Sequence, residues 1–302
     1  MKRRLAIVLC SCAGAASLLK GVADDFTLRS DVRLVQLDIS VRDKKGEDLA
    51  GLRRDDFKVR ENGRIQSISE FEREDLPATV GILIDESFST RSIRSDILGA
   101  AQGFIRQCNP HDEFFVLNFN DRVTAGLPHS MLFSDNPAIL SAALRHGKAE
   151  GKTALYDAIE DGLTEVKLGQ RHRRALVVIS DGGDTASRHS RREIFALLEA
   201  SAATVYAIGL FDTSDLDQDP RLLKQLTEIS GGDAYFPNSG AEMQDACDKI
   251  AKDLRSRYTV GYVPPKDNGG ALRRIKVSVT APNRAKVNVL TRGSYIYDDS
   301  SK

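Results

Sequence analysis

The most informative pattern in the sequence is a buried strand that stops abruptly at a polar loop. Residues Thr79 to Ile84 are β-branched and apolar without alternation, which predicts a strand covered on both faces. Oxygen-bearing side chains follow at once, at Asp85, Ser87 and Ser89. Apolar residues then recur at helical spacing as far as Ile105. The stretch therefore predicts a strand, a polar loop and an amphipathic helix in succession.

Strands and helices continue to alternate as far as about Tyr258. Strands are predicted at Phe114 to Phe119, Val123 to Leu127, Ala175 to Ile179, Thr204 to Phe211 and Ala234 to Phe236. Helices are predicted at Pro137 to Leu144, Ala154 to Leu168, Ile194 to Ala200, Pro220 to Ile229 and Met243 to Leu254. This alternation predicts a doubly wound α/β domain with a mostly parallel sheet.

The segments on either side of this region are rich in β signals. In the first segment Val32 to Val41 reads as a strand, and the strands Phe57 to Glu61 and Arg64 to Phe71 flank Asn62-Gly63, a strong hairpin signal. The last segment contains strands at Tyr258 to Val263, Arg274 to Thr280 and Ala285 to Leu290. Because each segment is too small to be stable alone, we expect the two to pair into one small β-sandwich.

The first 23 residues have the pattern of a secretory signal peptide. Basic residues at 2–4 precede an apolar run from Leu5 to Leu19, and small residues precede Asp24. The run is shorter than the roughly 20 apolar residues of a membrane span, although Cys10 and Cys12 leave lipidation as an alternative. We expect an exported chain, periplasmic or extracellular, without a transmembrane span after processing. It would comprise a signal peptide (1–23), a β segment (24–75), the α/β domain (79–256) and a second β segment (258–302).

Composition narrows the function classes. The chain has 43 basic and 43 acidic residues, so its formal charge of zero provides no electrostatic case for nucleic-acid binding. Without the signal peptide, Cys108 and Cys247 are the remaining cysteines. They are interpreted as two buried free thiols or, if their helices are neighbours, as a disulfide. The five histidines and the basic run Arg171 to Arg174 are interpreted as solvated surface.

Two further oxygen-bearing side chains fall in loops of the α/β domain, at Thr153 and Asp181. Ligands of open α/β sheets bind at the carboxyl ends of strands, where both Asp85 and Asp181 are expected. Together with Ser87 and Ser89 they make five oxygen donors without Cys or His, which favours Mg²⁺, Mn²⁺ or Ca²⁺ over zinc or copper. The alternative is that Asp85, Ser87 and Ser89 only cap the following helix.

These motifs resemble, in the expected order, the metal-ion-dependent adhesion site (MIDAS) of von Willebrand factor A (vWA) domains. The resemblance rests on Asp85-x-Ser87-x-Ser89 after a strand, on Thr153 in Gly-x-Thr-Ala-Leu-Tyr-Asp, and on Asp181-Gly182 after a second strand. It covers about Thr79 to Ser256. The β-rich flanks resemble those of a bacterial secreted family related to the A domain. Lys152 departs from the pattern, because family loops often have a second glycine there.

The resemblance implies a fold, a site and a function. It implies that the hydroxyls of Ser87, Ser89 and Thr153 and the carboxylates of Asp85 and Asp181 hold a divalent cation, Mg²⁺ or else Mn²⁺ or Ca²⁺, directly or through water. One coordination position would stay open for an Asp or Glu carboxylate of a partner protein. The implied function is an exported, metal-dependent protein-binding module without catalytic residues.

Two other functions stay open from the sequence. One is a metal-dependent hydrolase or phosphatase that uses the same cleft, and the other is a structural envelope protein with a vestigial site. The sequence shows no dedicated general base beside the cluster, no His-Glu-x-x-His and no Gly-x-Ser-x-Gly. The stretch Gly147 to Thr153 has three residues between its glycines, whereas a nucleotide-binding P-loop has four.

Overall fold

The computed structural model describes residues 34–210, 218–266, 271–281 and 286–297. All of them belong to one compact unit. The predicted signal peptide lies outside the described residues, as do the predicted strand end at Phe211 and strand start at Ala285. In the described ranges every helix is too short or too polar to cross a membrane.

The described residues contain fourteen strands and six α-helices. The strands are β1 (Val35–Arg42), β2 (Phe57–Glu61), β3 (Arg64–Gln66), β4 (Ile68–Glu72), β5 (Ala78–Asp85), β6 (Glu113–Phe119), β7 (Val123–Ala125), β8 (Arg173–Ser180), β9 (Thr204–Gly209), β10 (Ala234–Tyr235), β11 (Tyr258–Tyr262), β12 (Leu272–Val279), β13 (Asn288–Leu290) and β14 (Ser294–Ile296). The helices are α1 (Arg94–Gln107), α2 (Pro137–Leu144), α3 (Leu155–Glu165), α4 (Arg191–Ala200), α5 (Pro220–Ser230) and α6 (Gly240–Ser256).

The central sheet has six strands in the order β10-β9-β8-β5-β6-β7. All neighbours are parallel except β7, which runs antiparallel to β6. Every residue of β5 and β9 is buried, as the unbroken apolar runs predict for strands covered on both faces. Two groups of helices cover the sheet, because α1 packs on α2 and α6 whereas α4 packs on α3 and α5. The predicted doubly wound α/β fold is confirmed.

The two β-rich flanks form a sandwich of two four-stranded sheets. One sheet has the order β13-β1-β11-β4 and the other the order β14-β12-β2-β3, so each combines strands from both ends of the chain. Buried apolar side chains of the two sheets share one core, which includes Leu37, Val59, Val260 and Ile275. Alternation of apolar and polar residues along β1 directs its apolar side chains into this core.

Two predicted elements differ from the structure, and one strand of the structure was not predicted. The sequence predicts one strand over Arg64 to Phe71, whereas the chain crosses between the two sheets at Ser67, so that β3 pairs with β2 and β4 pairs with β11. A 3₁₀ helix, Phe88–Ile93, precedes α1 where the sequence predicts a continuous helix. Strand β14 was not predicted, because three residues are too few for a recognisable alternation.

A buried ion network joins α6 to the sandwich. The carboxylate of Asp253 accepts hydrogen bonds from Arg257 at 2.7 Å and from the hydroxyl of Tyr206 at 2.6 Å. It also lies 3.0 Å from the guanidinium of Arg42 in β1. Although burial opposes the effect, the charges of Arg257 and Arg42 lower the pKa of Asp253 well below its usual range.

The prediction of a solvated basic turn is wrong for Arg173, which is 2% exposed. Its guanidinium donates hydrogen bonds to the carbonyls of Leu254 and Arg257, at 2.9 and 2.8 Å. These carbonyls lie at the carboxyl end of α6, where cationic side chains satisfy backbone groups that the helix leaves unpaired. The basic run therefore enters the sheet and fastens the last helix to it.

Both cysteines of this unit are free and buried, which is the first of the two interpretations of the sequence. Cys108 follows α1 and Cys247 lies in α6, two helices that pack against each other. Burial raises the pKa of the Cys247 thiol to about 12 and that of the Cys108 thiol well above its usual value. Both thiols are therefore protonated and unreactive near neutral pH.

Candidate functional site

The two acidic residues of the predicted cluster lie at adjacent strand ends. Asp85 ends β5 and Asp181 follows β8, and these strands are neighbours in the sheet. The chain runs from β5 outwards to β6 and β7 and then returns to β8 on the other side. The strands therefore flank the point where strand order reverses, at which open α/β sheets bind ligands. Both acids are buried, with 1% and 5% of their surfaces exposed.

Hydrogen bonds bring four of the five predicted residues together. The hydroxyls of Ser87 and Ser89 are 3.0 Å apart, and the hydroxyl of Ser89 donates to Oδ2 of Asp181 at 2.9 Å. Oδ1 of Asp85 accepts the backbone N–H of Ser87 at 2.9 Å. The polar stretch is therefore more than a helix cap, because no side-chain cap bond is made by Ser87 at the start of the 3₁₀ helix and Ser89 turns towards a different strand.

Thr153 is held near this cluster through its backbone. Its carbonyl accepts the N–H groups of Thr185 and Ala186, at 2.8 and 3.0 Å, and its own N–H donates to Oγ1 of Thr185 at 3.1 Å. The loop of Thr153 is thus fastened to the loop that follows Asp181. Gly151 has a φ of +84°, and a side chain there would meet Oδ2 of Asp121 at 2.1 Å, so this turn requires glycine.

Ser180 is a member of the site that the sequence reasoning missed. Its hydroxyl donates to Oδ2 of Asp85 at 2.7 Å and accepts the backbone N–H of Gly182 at 3.1 Å. The side chain is fully buried. Ser180 therefore orients the Asp85 carboxylate and links it to the turn after Asp181. A polar residue at the end of the apolar strand Ala175 to Ile179 was the available signal.

Glu86 is a second such residue. Although it lies in the polar loop, it is 1% exposed and forms a two-pronged ion pair with Arg94, at 2.7 and 2.8 Å. Arg94 also donates to the carbonyl of Gly147 at 2.7 Å. This arrangement fastens the loop after β5 to the first turn of α1 and to the loop before Thr153. The sequence offered no signal for it, because an acidic loop residue reads as solvated.

His189 keeps 32% of its side-chain surface exposed and is also bonded to a carboxylate. Its Nδ1 lies 2.7 Å from Oδ1 of Asp157, which also accepts the backbone N–H groups of Arg188 and His189, both at 3.1 Å. Although burial opposes them, these hydrogen bonds lower the pKa of Asp157. The pair therefore ties the segment before α4 to α3, the helix that Thr153 precedes.

Asp85 is a buried carboxylate without a counter-charge in the described part of the chain. Burial raises the pKa of Asp85 to about 7, and the charge of Asp181 adds to the increase, while hydrogen bonds from Ser87 and Ser180 reduce it. Within the same ranges Asp85 forms no salt bridge with Lys, Arg or His. A hard divalent cation fits such a cluster, because its donors are two carboxylates and neighbouring hydroxyls.

The described part of the chain has no metal site made of His, Cys, Asp and Glu side chains alone. In residues 34–210, 218–266, 271–281 and 286–297, no group of three or more His, Cys, Asp or Glu side chains is arranged to hold a metal ion. The cluster at β5 and β8 supplies two carboxylates, so hydroxyl oxygens have to provide further ligands. Such a set is compatible with a divalent cation held by oxygen ligands.

An aromatic and basic rim borders the cluster. Phe88 lies between Ser87 and Ser89 and is 66% exposed, with the guanidinium of Arg91 at 4.7 Å from its ring centre. Lys148 and Lys152 are also exposed in the loop that leads to Thr153. A cavity of about 560 Å³ adjoins this loop and is lined by residues that include Glu86, Asn120, Asp121, Lys148 and Gly151.

Comparisons with known proteins identify the fold. No protein-family model and no curated protein matches the sequence. Among solved structures, a von Willebrand factor type A protein from Catenulispora acidiphila matches with a TM-score of 0.52 and 12% identity over 90% of this chain and 76% of that one. The vWF domain of the type V pili tip protein Mfa5 from Porphyromonas gingivalis matches with a TM-score of 0.50 and 11% identity over 60% of this chain and 95% of that one.

Proximal thread matrix protein 1 from the mussel byssus matches with a TM-score of 0.50 and 15% identity over 60% of this chain. The match covers 49% of that structure, so the present chain spans about half of its length. At such identities the comparisons concern the fold alone. The α/β domain has the von Willebrand factor A fold, as the sequence resemblance predicts.

Proposed function

With the von Willebrand factor A fold as the premise, we propose that this protein is an exported protein-binding module that holds a partner's Asp or Glu carboxylate through a divalent cation. One observation carries the proposal. At the point where strand order reverses, the loops of Asp85, Thr153 and Asp181 are joined by hydrogen bonds, and the buried Asp85 has no salt bridge among the described residues.

Each residue of the cluster has a proposed role. The hydroxyls of Ser87, Ser89 and Thr153 are neutral ligands, and the carboxylates of Asp85 and Asp181 supply negative charge directly or through water. Because most of these ligands are neutral, the cation, Mg²⁺ in the first place, retains enough Lewis acidity to accept a carboxylate oxygen from outside. Ser180 orients Asp85. The Glu86–Arg94 ion pair fixes the loop that follows β5 and carries Ser87 and Ser89.

The rim supports a protein partner. Exposed aromatic side chains beside a site are frequent sources of binding energy in protein interfaces, and Phe88 occupies this position between two proposed ligands. Lys148 and Lys152 add positive charge, which favours a partner segment with several acidic residues. The predicted signal peptide supports export to the periplasm or the extracellular space.

The proposal assigns the site no catalytic role. Hydrolysis at a metal needs a general base beside the bound water. His146 is exposed and lines the adjoining cavity, whereas His189 is bonded to Asp157, and that carboxylate already accepts two backbone N–H groups. These bonds support a structural function for the pair.

Calorimetry with the full mature chain tests the metal site. We expect Mg²⁺ and Mn²⁺ to bind with one-to-one stoichiometry, and the variants Asp85→Asn and Asp181→Asn to lose more than about a hundredfold in affinity, since even residues behind the ligands are worth ten- to a hundredfold. Asp245→Asn, an exposed change on α6, is the matched control. Absence of binding heat in the unchanged protein would refute the site.

A capture experiment tests the partner. The immobilised protein is mixed with envelope extract, and bound proteins are compared with Mg²⁺ and with chelator. We expect Phe88→Ala to retain the metal affinity and to lose partner binding, whereas Asp181→Asn loses both. Partner capture that chelator and Asp181→Asn leave unchanged would contradict a metal-mediated contact.

A further inference from the structure

A small polar cavity lies at the amino ends of the parallel strands, at the opposite edge of the sheet from the candidate metal site. Its volume is about 120 Å³, and it lies between the sandwich and the α/β domain. The sandwich contributes Gln36, Asp38 and Arg292, whereas the α/β domain contributes His172, Arg174, Ala202, Thr204 and Ser230. Neither the resemblance nor the proposed function concerns this end of the molecule.

The charges around the cavity do not balance. Arg174 and Arg292 both line it, and Asp38 is the one carboxylate among the described lining residues. Asp38 is engaged elsewhere, because it lies 3.6 Å from Nε of the buried Arg173 and accepts the hydroxyl of Thr259 at 3.2 Å. Two arginines therefore line a space whose acidic residue also lies close to a third arginine, Arg173.

The described residues compensate the two arginines only in part, since Arg292 lies near the charge of Asp38 and 5.6 Å from the ring centre of Tyr295. Nε of Arg174 is buried and makes no hydrogen bond, and neither Arg174 nor Arg292 forms a salt bridge within those ranges. Arg292 donates to the carbonyl of Gln36 at 2.9 Å, which is a neutral acceptor. Burial lowers the pKa of Arg292, yet arginine does not lose its proton in proteins. Both arginines are half-buried, and an anion in the cavity would supply the counter-charge that partial burial favours.

We propose that this cavity binds a small oxyanion of the size of phosphate or sulfate. Guanidinium groups match oxyanions in geometry, since each presents parallel N–H donors to two oxygens. The volume of about 120 Å³ equals that of about four molecules of liquid water, which suits an anion of a few heavy atoms. The bound anion contacts the sandwich through Arg292 and the α/β domain through Arg174, and so it stabilises their docking.

Thermal unfolding of the full mature chain tests the site with inorganic phosphate as the probe. Titrations use constant ionic strength with chloride as the reference anion, and chelator keeps the candidate metal site out of the measurement. A ligand that binds the folded protein alone raises its unfolding temperature with concentration. We expect phosphate and sulfate to raise it and to saturate, and acetate, a planar monoanion, to have less effect.

The variants Arg174→Gln and Arg292→Gln are expected to weaken the apparent phosphate affinity by about tenfold or more, the usual loss for a hydrogen bond to a charged group. Arg221→Gln on α5 is the control, because that side chain is exposed and distant from the cavity lining. Phosphorus NMR line broadening, recorded on each variant after circular dichroism has verified its fold, measures binding independently of stability. The proposal is overturned if phosphate acts no differently from chloride, or if both variants keep the affinity of the unchanged protein.

Discussion

Two aspartates of the α/β domain are equally buried and have opposite surroundings. Asp85 and Asp253 are each 1% exposed. Asp253 is paired with Arg257 and Arg42, and its pKa lies well below the usual value. Asp85 has Asp181 as its charged neighbour, it accepts hydrogen bonds from the Ser180 hydroxyl and the Ser87 backbone N–H, and its pKa is raised to about 7.

The difference is that Asp253 is paired with cationic side chains, whereas Asp85 has no cationic partner in the described residues. A buried carboxylate without a counter-charge reduces stability, because its desolvation is not offset. The protein supplies two arginines to Asp253 and none to Asp85 within the described residues. It holds Asp85 in place with Ser180 and with the Glu86–Arg94 pair instead. A cation from solution is the counter-charge that we propose for Asp85.

The largest expected effect is a loss in the free energy of unfolding when Asp253 is replaced. Asp253→Asn leaves the buried Arg257 without its carboxylate, although Arg42 keeps Asp233, and a broken buried ion pair costs about 3–5 kcal/mol. Urea unfolding at neutral pH measures the change. Asp245→Asn, exposed on the same helix, is expected to stay within about 0.5 kcal/mol of the unchanged protein. A loss below about 1 kcal/mol for Asp253→Asn would show that the network is not structural.

The next prediction concerns the orientation of Asp85. Ser180→Ala removes the hydroxyl that donates to Asp85 and accepts from Gly182, so we expect Mg²⁺ affinity to fall about ten- to a hundredfold. Calorimetry measures the affinity, and Ser95→Ala, an exposed change on α1, serves as the control. Unchanged affinity in Ser180→Ala would mean that Ser180 is not needed to position this ligand.

The pKa of Asp253 predicts that the protein loses stability as the pH falls. Its pKa is lower in the folded chain than the value of about 3.9 for an unfolded chain. Its stabilising contribution is therefore complete above that value and is lost as the pH falls below about 4, by at most about 1.4 kcal/mol per pH unit. Urea unfolding between pH 5 and pH 3 is expected to show this slope, and the slope should be smaller in Asp253→Asn. Equal slopes would remove Asp253 as the source.

The smallest effect is expected at Asp85 itself. In chelator at pH 8, Asp85→Asn replaces an uncompensated buried carboxylate with a neutral amide of the same shape, so stability stays within about 1 kcal/mol or increases. Chemical unfolding with chelator measures this, and Mg²⁺ should then stabilise the unchanged protein alone. A loss as large as that of Asp253→Asn would end the contrast between the two residues.

The sequence predicted the fold class because its signals are local. The apolar run from Thr79 to Ile84 indicates a strand buried on both faces, and the helical periodicity after Ser89 indicates a helix buried on one face. The alternation of such strands and helices along the chain then implies a doubly wound sheet. The proposed ligands were recognisable because Asp85, Ser87 and Ser89 stand together in one loop. Their assignment as metal ligands stays a prediction that the calorimetric variants test.

Other parts of the site depend on tertiary contacts that no local pattern encodes. Glu86 lies in a polar loop and is buried because Arg94 and the loop at Gly147 close over it. Arg173 belongs to a basic run but ends against the carbonyls of α6. Both residues are long and charged, so composition assigns them to the surface, and only their partners from distant parts of the chain place them inside.

The sandwich also determines the order in which the molecule can be completed. Strand β1 pairs with β11, and β2 pairs with β12. During synthesis β1 and β2 therefore lack these partners until β11 and β12 have been made. Contacts between residues so distant in sequence form slowly, and until then the edges of β1 and β2 are open to pairing with other chains. The sandwich can therefore close only after the whole intervening α/β domain has been synthesised. A chain truncated before β11 would leave these edges of β1 and β2 permanently exposed.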